Sequence, residues 1–455
     1  MRLLALALLT FPLCAQPQPQ LARDIFKQLI EINTTDSTGD NTRAAQAMAE
    51  RFRAAGYPDA DIQLLTPAPR KGNLVVRLHG TGAARPVLFI GHLDVVEARR
   101  ADWSVDPFVF LEKDGYFYGR GTSDMKGDDA TLVAAFVRMK REGFAPARDL
   151  ILALTSDEEG GQHNGVDWLV KNRRDLIDAE FCVNADGGGG DIKNGRHLYM
   201  SMQAAEKVFV SFRLETANPG GHSSLPRKDN AIYQLAAGLT RLAKFEFPVQ
   251  LFDATRVSFE RMAPFYPGQV GDDMKAIAAN PEDAAAAARL SEKPQYNAQL
   301  RTTCVATVLT GGHAENALPQ SASAVVNCRM LPIDNQANVE RTLTRVLADP
   351  GIKVTVMTPA KPVAYTPLDQ RVVRVVTEAT NKMWPGLTVV PKMETGAMDG
   401  LYLRGNGIPT YGVSGIFNDE DDIRAHGRDE RILAKSFDEA VDFMYDVVTS
   451  LGQAR

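Results

Sequence analysis

The sequence of 455 residues lacks, after its first 15 residues, any apolar run close to the roughly 20 residues that a transmembrane helix needs. It also lacks a basic surplus. Its 51 Lys and Arg against 56 Asp and Glu give a formal net charge of −5, which argues against binding to nucleic-acid phosphates. With 44% hydrophobic and 24% charged residues and no evident repeat, neither disorder nor a fibrous protein is indicated. The length favours two domains.

The start of the chain does contain a short apolar run. Arg2 precedes apolar residues over 3–13, and Ala15 and a Gln/Pro stretch follow. This order predicts a secretory signal over residues 1–15, cleaved after Ala15. A lipid-attachment site at Cys14 is the less favoured alternative, because Leu13 stands where such sites need a small residue. We expect a soluble protein exported to the periplasm or beyond.

Cysteine is scarce, with four residues in the chain. Loss of Cys14 with the signal leaves Cys182, Cys304 and Cys328, an odd number without the spacing C-x-x-C. This pattern predicts neither a disulfide framework nor a thiolate zinc site. The favoured interpretation is buried single thiols.

Apolar, strand-like runs alternate with helical patterns through the first part of the chain. Strand-like runs cover 73–78, 86–90, 149–154 and 180–183, and helical spacing covers 21–32, 41–55, 128–141 and 165–172. Alternation of this kind predicts an α/β fold with a mostly parallel sheet flanked by helices.

The pattern changes near Glu206 and changes back near Thr366. Between them lie strand-like runs at 207–214, 303–309 and 322–330 and helical patterns at 230–242 and 335–347. These segments predict a smaller α+β unit over 206–364, inserted between the α/β segments 21–205 and 365–455. A stretch containing Pro and Ala, at about 252–299, interrupts the inserted unit.

Polar side chains follow three of the predicted strands at the points where these strands end. His92 and Asp94 follow the run at 86–90, Asp157, Glu158 and Glu159 follow 149–154, and Asp186 follows 180–183. Because ligands bind outside the carboxyl ends of parallel strands, we expect these side chains to share one crevice.

Two further segments belong to this constellation. Asp124 lies in a glycine-rich turn, 119–127, whose glycines allow a close approach to a ligand, and His426 lies in the polar segment 425–430. Two histidines with several carboxylates suit zinc or a similar divalent ion better than calcium or an iron–sulfur cluster. The pattern therefore predicts a metal centre.

Each of these residues, taken alone, has a plainer explanation. His92 beside Asp94 is compatible with a capped surface pair, 157–159 with a solvated acidic turn, and Asp124 with a helix N-cap. His426 is compatible with an ion pair to Asp429 or Glu430. Their joint occurrence at strand ends favours the metal centre over these separate explanations.

The motifs in combination resemble one family. His-x-Asp at 92–94, Gly-Arg-Gly-x-x-Asp-Met-Lys-Gly at 119–127, Asp-Glu-Glu-Gly at 157–160, Gly-Gly-His-Ser-Ser at 220–224 and Asn-Ala-Leu-Pro at 316–319 occur in the order found in certain di-zinc metallopeptidases. That family contains carboxypeptidase S, aminoacylase, glutamate carboxypeptidase and succinyl-diaminopimelate desuccinylase. The segment 296–319 resembles the carboxypeptidase S branch in particular. The resemblance implies a zinc-exopeptidase-like fold whose inserted unit is a lid and dimerisation domain.

The resemblance also implies a role for each metal-site residue. His92 and Asp186 would bind one metal ion, Glu159 and His426 the other, and Asp124 would bridge the two. The expected cofactor is two Zn²⁺ per chain, with Co²⁺ or Mn²⁺ as substitutes. Glu158 would be the general base, and the carboxylate of Asp94 would accept the free ring N–H of His92. A cis peptide bond is expected after Asp124.

Substrate-binding roles follow from the same resemblance. His222 would stabilise the oxyanion, and Arg329 together with Asn316 would hold a substrate carboxylate. A turn at 220–224 and a structural ion pair of Arg329 are the plainer alternatives. The loop at Gly396 would line the pocket, although its sequence departs from the expected Gly-Thr-Asp-like pattern. His79, His163, His197 and His313 are interpreted as structural.

The expected function is hydrolysis of an amide or peptide bond next to a free carboxylate, of the carboxypeptidase or dipeptidase type. An aminoacylase acting on N-acyl amino acids is the alternative, and a non-catalytic binding protein with the same fold is less favoured because no ligand or base is missing. The expected partners are a small peptide or an N-acyl amino acid, with a homodimer formed through the inserted unit.

Overall fold

The computed structural model describes residues 18–361 and 365–453. The predicted signal segment, 1–15, lies outside them. Within the described residues no helix is long and apolar enough to cross a membrane.

The helices and strands are numbered in chain order. The helices are α1 (Gln18–Ile30), α2 (Asn41–Ala54), α3 (Lys126–Glu142), α4 (Gly165–Asn172), α5 (Arg174–Ile177), α6 (Ala231–Ala243), α7 (Asp253–Met262), α8 (Gln269–Ala279), α9 (Ala284–Ser291), α10 (Pro294–Leu300), α11 (Gln336–Leu347), α12 (Gln370–Met383), α13 (Gly400–Arg404) and α14 (Ala434–Gln453). The strands are β1 (Ile62–Ala68), β2 (Lys71–Leu78), β3 (Val87–His92), β4 (Leu111–Lys113), β5 (Tyr116–Tyr118), β6 (Leu150–Thr155), β7 (Phe181–Asn184), β8 (Gly189–Lys193), β9 (Arg196–Glu206), β10 (Val208–Ala217), β11 (Gly221–His222), β12 (Thr303–Gly311), β13 (Ala317–Leu318), β14 (Ser321–Met330), β15 (Lys353–Thr358), β16 (Val389–Glu394), β17 (Thr410–Gly412), β18 (Phe417–Asp419) and β19 (Arg431–Leu433).

A large sheet with a parallel centre forms the main layer, which confirms the predicted α/β class. Its strand order is β1-β2-β6-β3-β7-β17-β9-β8-β18, with β16 also paired to β9. The central strands β6, β3, β7 and β17 run parallel to their neighbours in this group, whereas β1 and β2 are antiparallel additions at one edge.

Helices cover both faces of this sheet. Val87 and Phe89 point into a core shared with α1, α2, α3 and α14, whereas Leu88 and Ile90 point into a core shared with α4 and α13. Because both faces are buried, the central strands consist of continuous apolar runs. This is the physical reason that the sequence revealed them.

A second, four-stranded antiparallel sheet is built from the middle of the chain. Its order is β12-β14-β10-β15, and α6 and α11 cover one face. It begins two residues after β9 ends at Glu206, where the change in sequence pattern placed the start of the inserted unit.

The segment at 253–300 forms four short helices, α7 to α10, where the sequence indicated only an interruption. These helices pack on the large sheet, with Phe259 and Met274 in one cluster with Tyr199 and Val390. The interval 206–364 therefore contains the strands of the second sheet and also a block of helices that packs on the large sheet. The division of the chain into domains at 205/206 and 364/365 stays a prediction.

The structure contradicts the expectation of single thiols. Cys304 on β12 and Cys328 on β14 lie directly opposite each other in the antiparallel pairing and form a disulfide. Cys182 on β7 is a free, buried thiol, as expected. An odd number of cysteines did not exclude a bridge between two of them.

Candidate metal centre

The carboxyl ends of β3 and β7 and the turn before α3, which contains Asp124, bring the first three predicted ligands together. His92 is the last residue of β3, and Asp186 follows β7, its parallel neighbour. His92 Nε2 lies 3.1 Å from Asp124 Oδ1 and 3.8 Å from Asp186 Oδ1. One side chain atom from each of these three residues can thus approach a single ion.

A second group of three shares Asp124 with the first. His426 Nε2 lies 3.0 Å from Asp124 Oδ2 and 2.8 Å from Glu159 Oε1. The two oxygens of Asp124 therefore face different histidines. This is the arrangement that a carboxylate needs in order to bridge two cations, because each of its oxygens offers lone pairs to a different ion.

The cluster has two properties of a cation site, an imidazole nitrogen without a hydrogen-bond partner among the described residues and a concentration of carboxylates. Nε2 of His92 is buried and has no hydrogen-bond partner within the described part of the chain. Burial acts to raise the pKa of Asp124, but the imidazole rings of His426 and His92 that face its two oxygens outweigh burial and hold this pKa well below its usual range. The hydrogen bonds to Asp124 and Glu159 raise the pKa of His426 to about 10. A mixed set of imidazole nitrogens and carboxylate oxygens suits zinc and similar divalent ions.

Asp94 orients His92 through its backbone and not through its carboxylate, which corrects the sequence-based expectation. Nδ1 of His92 lies 3.0 Å from the carbonyl oxygen of Asp94 and 3.7 Å from its Oδ1. With the ring N–H donated to this carbonyl, the lone pair of Nε2 is free to face a metal ion.

The carboxylate of Asp94 has another role. It accepts the backbone N–H groups of Glu158, at 3.1 Å, and Glu159, at 3.0 Å. Burial raises the pKa of Asp94 to about 6. Asp94 therefore fixes the turn that carries the proposed base and one proposed ligand, while its carbonyl fixes His92.

Glu158 projects into a site with an excess of negative charge. Burial raises its pKa to about 10, with Asp186 and Asp399 acting in the same direction and His92 against it. A carboxyl group in such surroundings takes up a proton readily unless cations offset the charge.

The residues that hold Asp124 in place were missed by the sequence analysis. Oε1 of Glu430 accepts the N–H groups of Ser123, at 2.8 Å, and Asp124, at 3.1 Å, and its Oε2 pairs with Arg120 at 2.6 Å. The peptide bond between Asp124 and Met125 is cis, as expected. Arg120 and Glu430 lie inside the two motifs that supply Asp124 and His426, but their spacing gave no sign that they meet.

Asp399 is a second residue that was missed. It is buried beside the end of β6, where its Oδ1 accepts a hydrogen bond from Asn164 at 2.6 Å and its Oδ2 one from Thr155 at 3.3 Å. Burial raises its pKa to about 7. Its position three residues after Gly396, in the segment 395–400, was the available signal.

His222 and Asn316 lie beside each other in the small ladder formed by β11 and β13. His222 on β11 pairs with Ala317 on β13, and the backbone oxygen of Asn316 accepts the N–H of Ser223 at 3.1 Å. The ring Nδ1 of His222 accepts the N–H of Ser224 at 3.1 Å. His222 is exposed, and among the described residues it is absent from every group able to share a metal ion.

Arg329 occupies the opposite end of the second sheet from this pair. The β11/β13 arm leaves the sheet at Ser321, where β14 begins, whereas Arg329 lies near the end of β14. Because a strand advances about 3.3 Å per residue, Ser321 and Arg329 are separated by roughly 25 Å. The expected contact of Arg329 and Asn316 with one carboxylate is therefore not formed within this chain.

The guanidinium of Arg329 stacks on the ring of Phe209, 4.9 Å from the ring centroid. Burial lowers its pKa, and it has no acidic partner in the ranges 18–361 and 365–453. A half-buried cation without a counter-ion is suited to binding an anion. The loop at Gly396 is exposed, and its neighbour Ala397 lines one cavity together with Phe209.

Comparison with known proteins supports one family. The sequence pattern of peptidase family M20/M25/M40 matches residues 88–450. The human "N-fatty-acyl-amino acid synthase/hydrolase" is 27% identical over 375 residues, which cover 80% of this chain and 74% of that protein. A "probable carboxypeptidase S-like" protein of Dictyostelium discoideum is 26% identical over 376 residues, covering 80% and 71%.

The fold is also similar to solved structures. A metallo-carboxypeptidase from Sulfolobus solfataricus superimposes with a TM-score of 0.69 at 19% identity, covering 95% of this chain and 99% of the other. At this level of identity the likeness concerns the fold alone.

Proposed function

Because this chain belongs to peptidase family M20/M25/M40 and is a metallopeptidase or amidohydrolase, we propose that it cleaves an amide bond next to a free carboxylate. The proposal rests mainly on the position of Asp124, because its two carboxylate oxygens face two different histidines, His92 and His426. A second requirement is a site for the carboxylate of the substrate, and the guanidinium of Arg329, which has no acidic partner among the described residues, meets it.

The proposed cofactor is a pair of zinc ions, for which cobalt or manganese can substitute. His92 and Asp186 would hold one ion, Glu159 and His426 the other, and Asp124 both. The orphaned Nε2 of His92 supports this assignment. When bound, such ions acidify a water molecule and polarise the amide carbonyl.

Glu158 is proposed to move the proton in this reaction. One carboxylate oxygen would accept the proton of the attacking water, and the same group would then deliver it to the nitrogen of the leaving amine. The two N–H groups that Asp94 accepts hold the turn of Glu158 and thereby its reach into the site.

Arg329 and Gly396 are proposed to bind the substrate from opposite sides of the cleft. The planar guanidinium can donate two parallel hydrogen bonds to a carboxylate, a contact that favours closure of the second sheet over the metal centre. The exposed backbone of the loop at Gly396 would line the same pocket.

His222 and Asn316 are proposed to act in the site of a second copy of the chain. They stand at the end of the second sheet that is remote from Arg329, and His222 would donate to the developing oxyanion of the partner's substrate. The edge strand β12 supports a homodimer, since Val305, Val308 and Leu309 expose 59%, 53% and 66% of their surface on it. An unpaired apolar edge strand favours pairing with another chain.

A peptide and an N-acyl amino acid present the same carboxylate to Arg329. We place carboxypeptidase or dipeptidase activity first, and aminoacylase activity second. The second is supported by the similarity to the human N-fatty-acyl-amino acid hydrolase. Non-catalytic binding is disfavoured, because Glu158 and all five proposed ligands are present.

Export to an oxidising compartment is proposed from two features. The pattern at 1–15 is that of a signal, and the Cys304–Cys328 disulfide is a bridge of the kind that persists outside the cytosol.

The test is an assay of the zinc-loaded protein, with cobalt and manganese in parallel, on dipeptides, on longer peptides and on N-acyl amino acids. Release of a carboxyl-terminal amino acid from any of these supports the proposal. Hydrolysis of substrates whose carboxylate is amidated, at the same rate as that of the free acids, would contradict it.

A further inference from the structure

A small cavity lies where the second sheet meets the catalytic unit. Its volume is about 190 Å³, and it is bounded by the start of β10, the end of β15 and the first turn of α13 with the preceding loop. Its apolar wall consists of Val208, Phe209, Pro359, Ala397 and Leu401. The cavity therefore spans the cleft, with Phe209 on one side and Ala397 on the other.

This cavity adjoins the proposed carboxylate anchor. Phe209 on β10 lies directly opposite Arg329 on β14, and the same Phe209 ring that lines the cavity carries the stacked guanidinium. Ala397 follows Gly396, the residue proposed to line the substrate pocket. The cavity therefore lies close enough to receive the side chain of a residue whose carboxylate is bound at Arg329.

We propose that the cavity receives the apolar side chain of the residue whose carboxylate binds Arg329. This assignment rests on the proposed function and specifies its substrate as one with an apolar carboxyl-terminal residue. Pockets that enclose whole ligands measure about 300–1,000 Å³, so a cavity of 190 Å³ has room for one side chain and not for a long acyl chain.

The charges around the cavity agree with an apolar occupant. Glu206, at the junction of the sheets, is bound by Arg404 and by the N–H of Met398, so its carboxylate is already satisfied. Lys207 and Lys361 also border the cavity, and with Arg329 they disfavour a basic side chain. An acidic side chain would have to compete with bonds that the two lysines already make, since Nζ of Lys207 donates to the carbonyl of Arg301 at 2.7 Å and Nζ of Lys361 donates to the hydroxyl of Tyr402 at 3.1 Å.

The cavity also has a position at which a larger side chain fills it without disturbing a core. Thr358, the last residue of β15, lines the cavity and is exposed, so Thr358→Trp occupies the space from the rim. Leu401→Ala provides the opposite change, since it enlarges the cavity from the side of α13. Ile423→Ala is the matched control, because Ile423 is 74% exposed and does not line the cavity.

The experiment compares kcat/KM for substrates that share one amino-terminal or acyl group and end in Leu, Phe, Gly, Asp or Lys. We expect the wild-type protein to prefer Leu and Phe over Gly by about ten-fold or more, as side-chain pockets do. Thr358→Trp should abolish this preference while leaving the Gly substrate nearly unchanged. Leu401→Ala should lower the rate for Leu relative to Phe.

Three results would overturn the assignment. Equal losses for Leu and Gly substrates in Thr358→Trp would show that the cavity does not select the carboxyl-terminal residue. If the effect of Thr358→Trp on kcat/KM instead depended on the amino-terminal or acyl group, the cavity would bind the part of the substrate on the other side of the scissile bond. Wild-type protein that hydrolyses no member of the panel would overturn the proposed function and, with it, this assignment.

Discussion

Oε1 of Glu430 lies 3.1 Å from the backbone nitrogen of Asp124 and accepts its N–H group. The same carboxylate pairs with the buried guanidinium of Arg120. A residue 306 positions away in the chain thereby fixes the backbone from which the proposed bridging carboxylate extends.

Replacement of Glu430 tests this support. Glu430→Gln keeps the size of the side chain but removes the charge that holds Arg120, so we expect metal affinity to fall about 10–100-fold, as it does when partners of metal ligands are lost. The measurement is metal binding by competition with a chelator. Asp229→Asn is the control, since it removes only the exposed pair with Arg227 and should leave affinity unchanged. Unchanged affinity in Glu430→Gln would contradict a supporting role.

Glu158→Gln separates the proposed base from the ligands. The amide keeps the shape of the side chain but cannot accept the proton of water, so activity should be lost while metal content stays at the wild-type level. Elemental analysis and the peptidase assay on the same sample measure both. Glu282→Gln, at an exposed glutamate outside the site, should match the wild type in both. Loss of metal together with activity would make Glu158 a ligand and refute its assignment as the base.

Arg329→Ala should raise KM strongly and lower kcat as well. The carboxylate of the substrate would no longer favour closure, and its binding energy would no longer position the amide at the metal centre. Arg345→Ala is a matched control, because Arg345 also stacks on a phenylalanine of the second sheet's unit, Phe245, but lies outside the proposed pocket. Steady-state kinetics that show equal effects of the two substitutions would contradict the anchor.

The proposed sharing of sites between two chains is testable by complementation. His222→Ala should lower kcat by about 10²–10³-fold, as loss of other oxyanion donors does. Mixed with Glu158→Gln, it should regain partial activity, because one site of the mixed dimer would contain both native residues. The control mixture, Asp124→Ala with Glu158→Gln, should regain none, because both changes lie in the same unit. No recovery despite demonstrated subunit exchange would contradict the shared site.

The sequence was informative where burial on both faces forces a simple pattern. The strands before His92 and Asp186 are continuous apolar runs, so their ends and the ligands that follow could be predicted. Interactions between distant segments left no such pattern. The contact of Glu430 with Asp124 and the bond between Cys304 and Cys328 depend on chain packing and strand register. The spacing of His92 and Asp94 indicated that they interact, but not that the carbonyl of Asp94 is the acceptor.

The short helices at 253–300 were missed for a different reason. They are 7 to 11 residues long, and their stability comes from packing on β9 and β16, not from a long amphipathic period. The prolines at 281 and 294 therefore indicated an interruption, and the run of alanines at 284–288, which favours a helix, is too short to have indicated the helical block by itself.

The metal content of the wild-type protein and of Asp124→Ala tests the central claim most directly. After reconstitution with zinc and removal of excess metal, elemental analysis should find close to two ions per wild-type chain. In Asp124→Ala both ions should be largely lost together with activity, because one carboxylate faces both histidines. Asp175→Ala, at an exposed aspartate, should retain both ions. A wild-type protein that holds no transition metal, or an Asp124→Ala variant that keeps two ions, would contradict the bridged two-metal centre.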